Sequence, residues 1–96
     1  MNSLPDLDTV RAEIDALDAR IVALLAERCA KTDLVGLVKA ARGDPSVEPA
    51  RRQQRIAMLK RLAMLHSVDQ TLIDDVFGVI AQWVVVRHEA FANRSK

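Results

Sequence analysis

Two basic side chains of the first predicted helix occupy positions that its apolar pattern assigns to the interior. Apolar residues follow alternating steps of three and four along one face, at Leu7, Val10, Ile14, Leu17, Ile21 and Leu24. The same steps continue to Arg28 and Lys39, which lie about 20° apart around the helix and about 16 Å apart along it. Because an unpaired buried cation costs several kcal/mol, their placement indicates a bound anion or the entry of solvent.

Arg11 is a third candidate on the same helix. It lies about 25 Å from Arg28 and about 100° around the axis, so it cannot serve the same pocket within its own chain. It can serve the pocket of a partner chain. A simpler interpretation also stands, because Asp8 and Asp15 are spaced to form a surface row of ion pairs with Arg11.

The other candidates have simpler interpretations as well. Arg28 and Lys39 can extend from the apolar face to water. The basic residues of the second predicted helix can form its solvated face: Arg51, Arg52, Arg55, Lys60 and Arg61. His88 falls four residues after Val84 on an apolar stripe, where a hydrogen-bonded core histidine is commoner than a catalytic one.

Three helices must position these side chains, since Gly and Pro, three of each, interrupt the chain only rarely. The first is capped by Asp6 or Asp8 and spans about 6–42, ending before Gly43. The second begins after Glu48 and spans 49–66, and the third spans 70–93 after a cap at Asp69. No segment alternates with period two, so the predicted class is all-α without strands.

Gly36 lies inside the first predicted helix, where glycine costs about 1 kcal/mol relative to alanine. A glycine retained at this position indicates a close helix crossing or the close approach of a ligand.

The lengths of the helices favour a homodimer. The first, at about 55 Å, cannot be covered by two others of about 25 and 35 Å. The third helix is also apolar on more than one side, through Trp83, Val85 and Val86, and needs more than one neighbour. The sequence therefore predicts an intertwined six-helix dimer with two-fold symmetry.

The composition excludes several classes of protein. The 96 residues predict one domain, and 50% are hydrophobic, which is enough for a core. Fourteen basic and thirteen acidic residues give a net charge of +1, which provides no general attraction to nucleic acid or to a membrane surface. As the single cysteine, Cys29 cannot form a disulfide within the chain. Neither a signal segment nor an 18-residue apolar run is found, so we expect a cytoplasmic protein.

Residues 10–39, VRAEIDALDARIVALLAERCAKTDLVGLVK, resemble the first helix of the all-helical (type II) chorismate mutases. The shared features are an early Arg followed by I-D-x-L-D, L-L-x-x-R and G-x-x-K. Residues 48–51 are similar to the start of that family's second helix, and the similarity extends over nearly the whole chain.

The resemblance implies a site at each end of a homodimer, in which Arg28, Lys39 and Arg51 of one chain and Arg11 of the other bind chorismate. These residues would hold the two carboxylates and the ether oxygen of this small dicarboxylate. The rearrangement to prephenate is a one-step pericyclic shift without a nucleophile or a proton transfer. Catalysis would therefore need no cofactor or metal, only a fixed reactive conformer and stabilisation of developing charge.

Four further site residues follow from the resemblance. His88 aligns with a second donor to the ether oxygen, usually Gln or Glu, and a protonation requirement there would make activity fall as the pH rises. Glu48 is expected to bind substrate. Arg52 replaces a Glu that engages the ring hydroxyl in many members, and Val84 replaces a Ser found in some.

These departures leave other functions open. Relatives that resemble isochorismate pyruvate lyase also lack that Glu and carry a Trp in the last helix, as at Trp83, so isochorismate is an alternative substrate that would give salicylate and pyruvate. An amino-substituted chorismate is another, and a non-catalytic helical dimer that binds a metabolite is a third possibility. A DNA-binding helix at 51–61 is disfavoured by the near-zero net charge and an aromatic content of only 3%.

Overall fold

A computed structural model of the chain describes residues 3–94, which form three helices. They are α1 (Leu7–Arg42), α2 (Pro49–Leu65) and α3 (Gln70–Arg94), and residues 3–94 contain no strand. The prediction of an all-α chain with three helices is confirmed, and the helix ends differ from the predicted ones by one residue at most. The chain divides into two compact units, one up to Lys31 and one from Thr32 onward, with α1 contributing to both.

Acidic residues precede all three helices, and two of them act as caps. Asp6 Oδ2 accepts the backbone N–H of Thr9 at 3.2 Å, which selects Asp6 over Asp8 as the cap of α1. Asp69 Oδ1 accepts the N–H groups of Thr71 and Leu72 at 2.8 and 3.3 Å, as predicted for α3. Glu48 precedes Pro49 in an extended conformation, with φ −116° and ψ 104°, and its side chain makes no capping bond.

Left-handed residues follow the ends of α1 and α2. Gly43 has φ +74°, and beside it the N–H of Asp44 donates to the carbonyl oxygen of Lys39 at 2.9 Å. Ser67 has φ +54°, and the N–H of Val68 donates to the carbonyl oxygen of Ala63 at 2.9 Å. Both arrangements satisfy carbonyl groups that a helix end leaves without a partner, and they turn the chain toward the next element.

The second unit is organised around the packing of α3. Helix α3 packs on α2 and crosses the C-terminal part of α1 at Gly36. A Cβ atom added to Gly36 would lie 2.5 Å from Cδ2 of His88 and 2.8 Å from Cδ2 of Phe91. The close helix crossing that Gly36 indicated is therefore present, and glycine is required for it.

Both units leave apolar faces exposed. In the first unit the predicted interior stripe of α1 is exposed at Ile14, Leu17, Ile21 and Leu24. In the second, Ala63 is the one buried hydrophobic residue among those described, while α3 exposes a stripe at Leu72, Val76, Val79, Trp83 and Val86. No helix within residues 3–94 combines the length and the apolar character needed to cross a membrane.

Candidate active site

A depression in the second unit is formed by the last turns of α1 and the loop that follows. Its volume is about 270 Å³. One part of the wall is apolar and the other charged, and the lining residues are Leu34, Val35, Val38, Lys39, Arg42, Asp44 and Glu48. Such a combination suits a small organic anion, because the apolar wall holds a ring while fixed charges orient its polar groups.

Lys39 is the central charged group of this depression. Its Nζ donates to the carbonyl oxygen of Ser46 at 3.3 Å and lies 3.5 Å from Oε1 of Glu48. The side chain is only 15% exposed. Since an ammonium group has three N–H donors, two protein contacts leave one donor for a further acceptor.

The loop 43–48 is fastened to the last turn of α1. Arg42 Nε lies 3.2 Å from Asp44 Oδ2, beside the backbone bond from Asp44 to Lys39. Together with the contacts of Ser46 and Glu48 to the Lys39 ammonium group, these bonds hold both ends of the loop against α1. The loop therefore forms a defined wall of the depression.

His88 lies where α3 crosses α1. It is 5% exposed, and its Nε2 lies 2.7 Å from the carbonyl oxygen of Thr32. A carbonyl only accepts, so Nε2 carries the hydrogen and donates it, which assigns the tautomer. Nδ1 is buried and has no hydrogen-bond partner within residues 3–94. The described residues that line the depression do not include His88.

A forked ion pair joins α1 to α3 beside His88. Arg87 donates from Nε and Nη2 to the two carboxylate oxygens of Asp33 at 2.6 and 3.0 Å, and its guanidinium carbon lies 5.3 Å from the centre of the Phe91 ring. The hydrogen bond from Arg87 lowers the pKa of Asp33, and this is the largest effect. Desolvation raises the pKa by a smaller amount, while the electrostatic effects of Arg87 and His88 lower it further.

The other candidate residues are placed as follows. In the second unit, Arg51 and Arg52 are exposed on the first turn of α2, and Val84 is half-buried on α3, one turn before His88. In the first unit, Arg11 is exposed and Arg28 is half-buried. Within the second unit, the structure brings Lys39 and Glu48 together.

Sequence reasoning missed several parts of this region. The carbonyl of Ser46 has no sequence signal, because every residue carries the same backbone group. Asp33 and Arg87 are 54 positions apart, and neither lies on a pattern that pairs it with the other. The one usable signal was Gly36, which indicated that another element comes close, without showing which one.

No group of three or more His, Cys, Asp or Glu side chains in the part of the chain that the structure describes is arranged to hold a metal ion.

Comparison with known families decides the wider assignment. The model of the chorismate mutase type II family matches residues 10–89. The chain belongs to the type II chorismate mutase family. The matched segment includes the depression with Lys39 and Glu48 as well as His88, and it confirms the family that the motifs of α1 indicated. A comparison with curated proteins finds no match.

Proposed function

We propose that the protein is a chorismate mutase, which rearranges chorismate to prephenate. The observation that carries the proposal is the ammonium group of Lys39. This group is largely buried beside an apolar wall, and its two protein contacts leave one N–H donor for a further acceptor. The chain that carries it belongs to the chorismate mutase family. A buried cation with a spare donor is the group that this reaction needs at the ether oxygen, where negative charge develops as the bond stretches.

In the proposed mechanism the protein contributes binding and charge, with no covalent step. Lys39 donates to the ether oxygen. Arg28 and Arg51 bind the two carboxylates through paired N–H donors, and Arg11 of a second copy completes the site. Arg52 and Val84 form the ring end, and Glu48 lies beside the Lys39 ammonium group. Holding the reactive conformer lowers the entropic barrier, and hydrogen bonds that strengthen in the transition state raise turnover.

His88 is proposed as the second donor to the ether oxygen, under one condition. Its Nε2–H is already used by the carbonyl of Thr32, so a neutral ring offers only an acceptor at Nδ1. The ring can donate from Nδ1 only as an imidazolium. The proposed role of His88 therefore depends on its protonation.

A homodimer is part of the proposal. The first unit is a single helical segment with an exposed apolar stripe, and a single helix cannot bury its own side chains. The stripe on α3 has the same need. A second copy supplies both a cover for these faces and the Arg11 that is proposed to complete the site. We place this dimer in the cytoplasm, where the exposed thiol of Cys29 stays reduced.

A lyase that converts isochorismate to salicylate and pyruvate is the second candidate. Arg52, rather than a carboxylate, occupies the first turn of α2, so the chain lacks an acidic acceptor for the ring hydroxyl at that position. The same carboxylate-binding arginines and the same lysine would serve this pericyclic elimination.

One experiment separates the candidates. Purified protein is incubated separately with chorismate and with isochorismate, and the products are identified by liquid chromatography. Prephenate from chorismate supports the mutase, whereas salicylate and pyruvate from isochorismate alone would replace it with the lyase. Binding of chorismate without turnover would show a non-catalytic metabolite-binding protein.

A further inference from the structure

We propose that Glu48 positions Lys39 for catalysis by holding its ammonium group at the edge of the depression, rather than by binding substrate directly. The inference rests on the proposed function and deepens it. Glu48 would be a positioning residue, and Lys39 the group that touches substrate.

The Glu48 side chain does not cap the helix that it precedes. Helices α1 and α3 begin after Asp6 and Asp69, and both carboxylates bond to backbone N–H groups of the first turn. Glu48 occupies the same position before α2 but makes no capping bond. Its Oε1 instead lies 3.5 Å from the Nζ of Lys39. The carboxylate is therefore directed to the lysine and not to the helix end.

The Lys39 side chain is 15% exposed, so its charge has lost most of its contact with water, while Glu48 is 46% exposed and remains partly solvated. A carboxylate beside a largely buried ammonium group offsets part of the cost of that burial. Glu48 thus holds the ammonium group of Lys39 in place before substrate arrives.

Ser46 and Glu48 belong to the same loop, and both contact the ammonium group of Lys39. The carbonyl oxygen of Ser46 accepts a hydrogen bond at 3.3 Å, and Oε1 of Glu48 forms an ion pair at 3.5 Å. Because the three N–H bonds of an ammonium group are arranged tetrahedrally, these two contacts leave one N–H for a further acceptor. This donor is available without requiring Lys39 to abandon a partner when substrate binds.

Glu48→Gln tests the inference, because it keeps the shape of the side chain and removes its charge. If Glu48 acts through Lys39, an interaction of the transition state is weakened, so we expect kcat to fall about tenfold while KM stays within about twofold. A rise in KM with unchanged kcat would instead show direct binding of substrate and would overturn the proposal. Asp75→Asn, which removes one charge from an exposed position on α3, controls for the change in net charge.

A second readout needs no turnover. Amine acylation of Lys39 is followed by mass spectrometry, with the exposed Lys60 as internal reference. Release from Glu48 frees the amine, so Lys39 should be labelled several-fold faster in Glu48→Gln than in the wild-type protein. Asp75→Asn, which removes an exposed carboxylate of α3, should leave the labelling of Lys39 unchanged.

An equal rate of Lys39 labelling in Glu48→Gln and the wild-type protein would overturn the inference. If the wild-type protein converts neither substrate, the proposed function fails. The labelling comparison would still decide whether Glu48 holds Lys39, so the two failures are distinguishable.

Discussion

The ring of His88 lies directly against the backbone of Gly36, with no space between α1 and α3 for a side chain at residue 36. The contact explains why a helix former is absent from that position. It also makes the orientation of the His88 ring depend on the distance between α1 and α3, since the same ring donates to the carbonyl oxygen of Thr32 on α1. A change at Gly36 should therefore disturb stability and His88 together.

Gly36→Ala should destabilise the protein by about 1–3 kcal/mol, because the added methyl group overpacks the crossing. Gly78→Ala is the matched control, since a Cβ atom at Gly78 meets nothing within 4 Å. That control should stabilise the protein by about 0.5–1 kcal/mol through helix propensity. Urea unfolding of both variants at one protein concentration measures the effects. Equal stabilisation by both substitutions would contradict the close crossing.

Lys39→Ala should reduce turnover of chorismate by at least about a hundredfold, because it removes the donor to the ether oxygen. The far-ultraviolet circular dichroism should stay unchanged, since the substitution also removes a largely buried charge. Lys60→Ala, at an exposed position of α2, should retain activity. A loss of helicity in Lys39→Ala would identify the lysine as structural.

The activity of the wild-type protein should fall as the pH is raised from about 5.5 to 8.5, because only an imidazolium can donate from Nδ1 of His88. His88→Gln should flatten the profile of kcat/KM against pH, since an amide does not titrate in this range. His66→Gln replaces the other histidine, which is exposed after α2, and should keep the wild-type slope. Identical profiles for all three proteins would remove the protonation requirement.

The ion pair between Asp33 and Arg87 should contribute to stability near neutral pH and lose its contribution in acid. The hydrogen bond from Arg87 lowers the pKa of Asp33 in the folded chain. Because this pKa is lowered, the ion pair contributes its full stability at pH values above the pKa of Asp33 in the unfolded chain, near 3.9. The contribution disappears as the pH falls through the pKa of Asp33 in the folded chain. A double-mutant cycle of Asp33→Asn and Arg87→Gln, measured by unfolding at pH 7 and again near pH 2, tests this. A coupling energy that is equal at both pH values would contradict it.

Sedimentation equilibrium should give a mass of twice the 10.6 kDa of one chain, and the midpoint of thermal unfolding should rise with protein concentration. Leu17→Glu places a charge on the exposed apolar stripe of α1 and should dissociate the dimer. Asp15→Asn, at an exposed position about 140° around the same helix from that stripe, should not. A monomer at micromolar concentration, with an unfolding midpoint independent of dilution, would exclude the proposed assembly.

The sequence predicted the helices well because local signals define them. The capping carboxylates of Asp6 and Asp69, Pro49 in a first turn and Gly43 after a last turn each act on neighbouring backbone groups. The periodicity predicted one continuous helix with an apolar stripe from Leu7 to Leu24, and α1 runs through all of these positions. It could not show what covers that face, because periodicity describes a single helix and carries no information about its neighbours.

The site was predictable only in part. Lys39 was identified because it interrupts an apolar pattern, and Gly36 because glycine is unfavourable inside a helix. The roles of Glu48 and Ser46 depend on a loop that folds back onto α1, and the partner of His88 is a backbone carbonyl on another helix. Such contacts arise from tertiary packing, so no spacing along the chain predicts them.

The loop between α1 and α2 has a consequence for engineering the protein. Its six residues are bonded to α1 at the start, through Asp44, and near the end, through Ser46 and Glu48. Adding or deleting one residue would shift the carbonyl and the carboxylate relative to Lys39 by about 3.5 Å. Libraries of variants aimed at new substrates should therefore change the side chains of this loop and keep its length, because the length sets the position of the Lys39 amine.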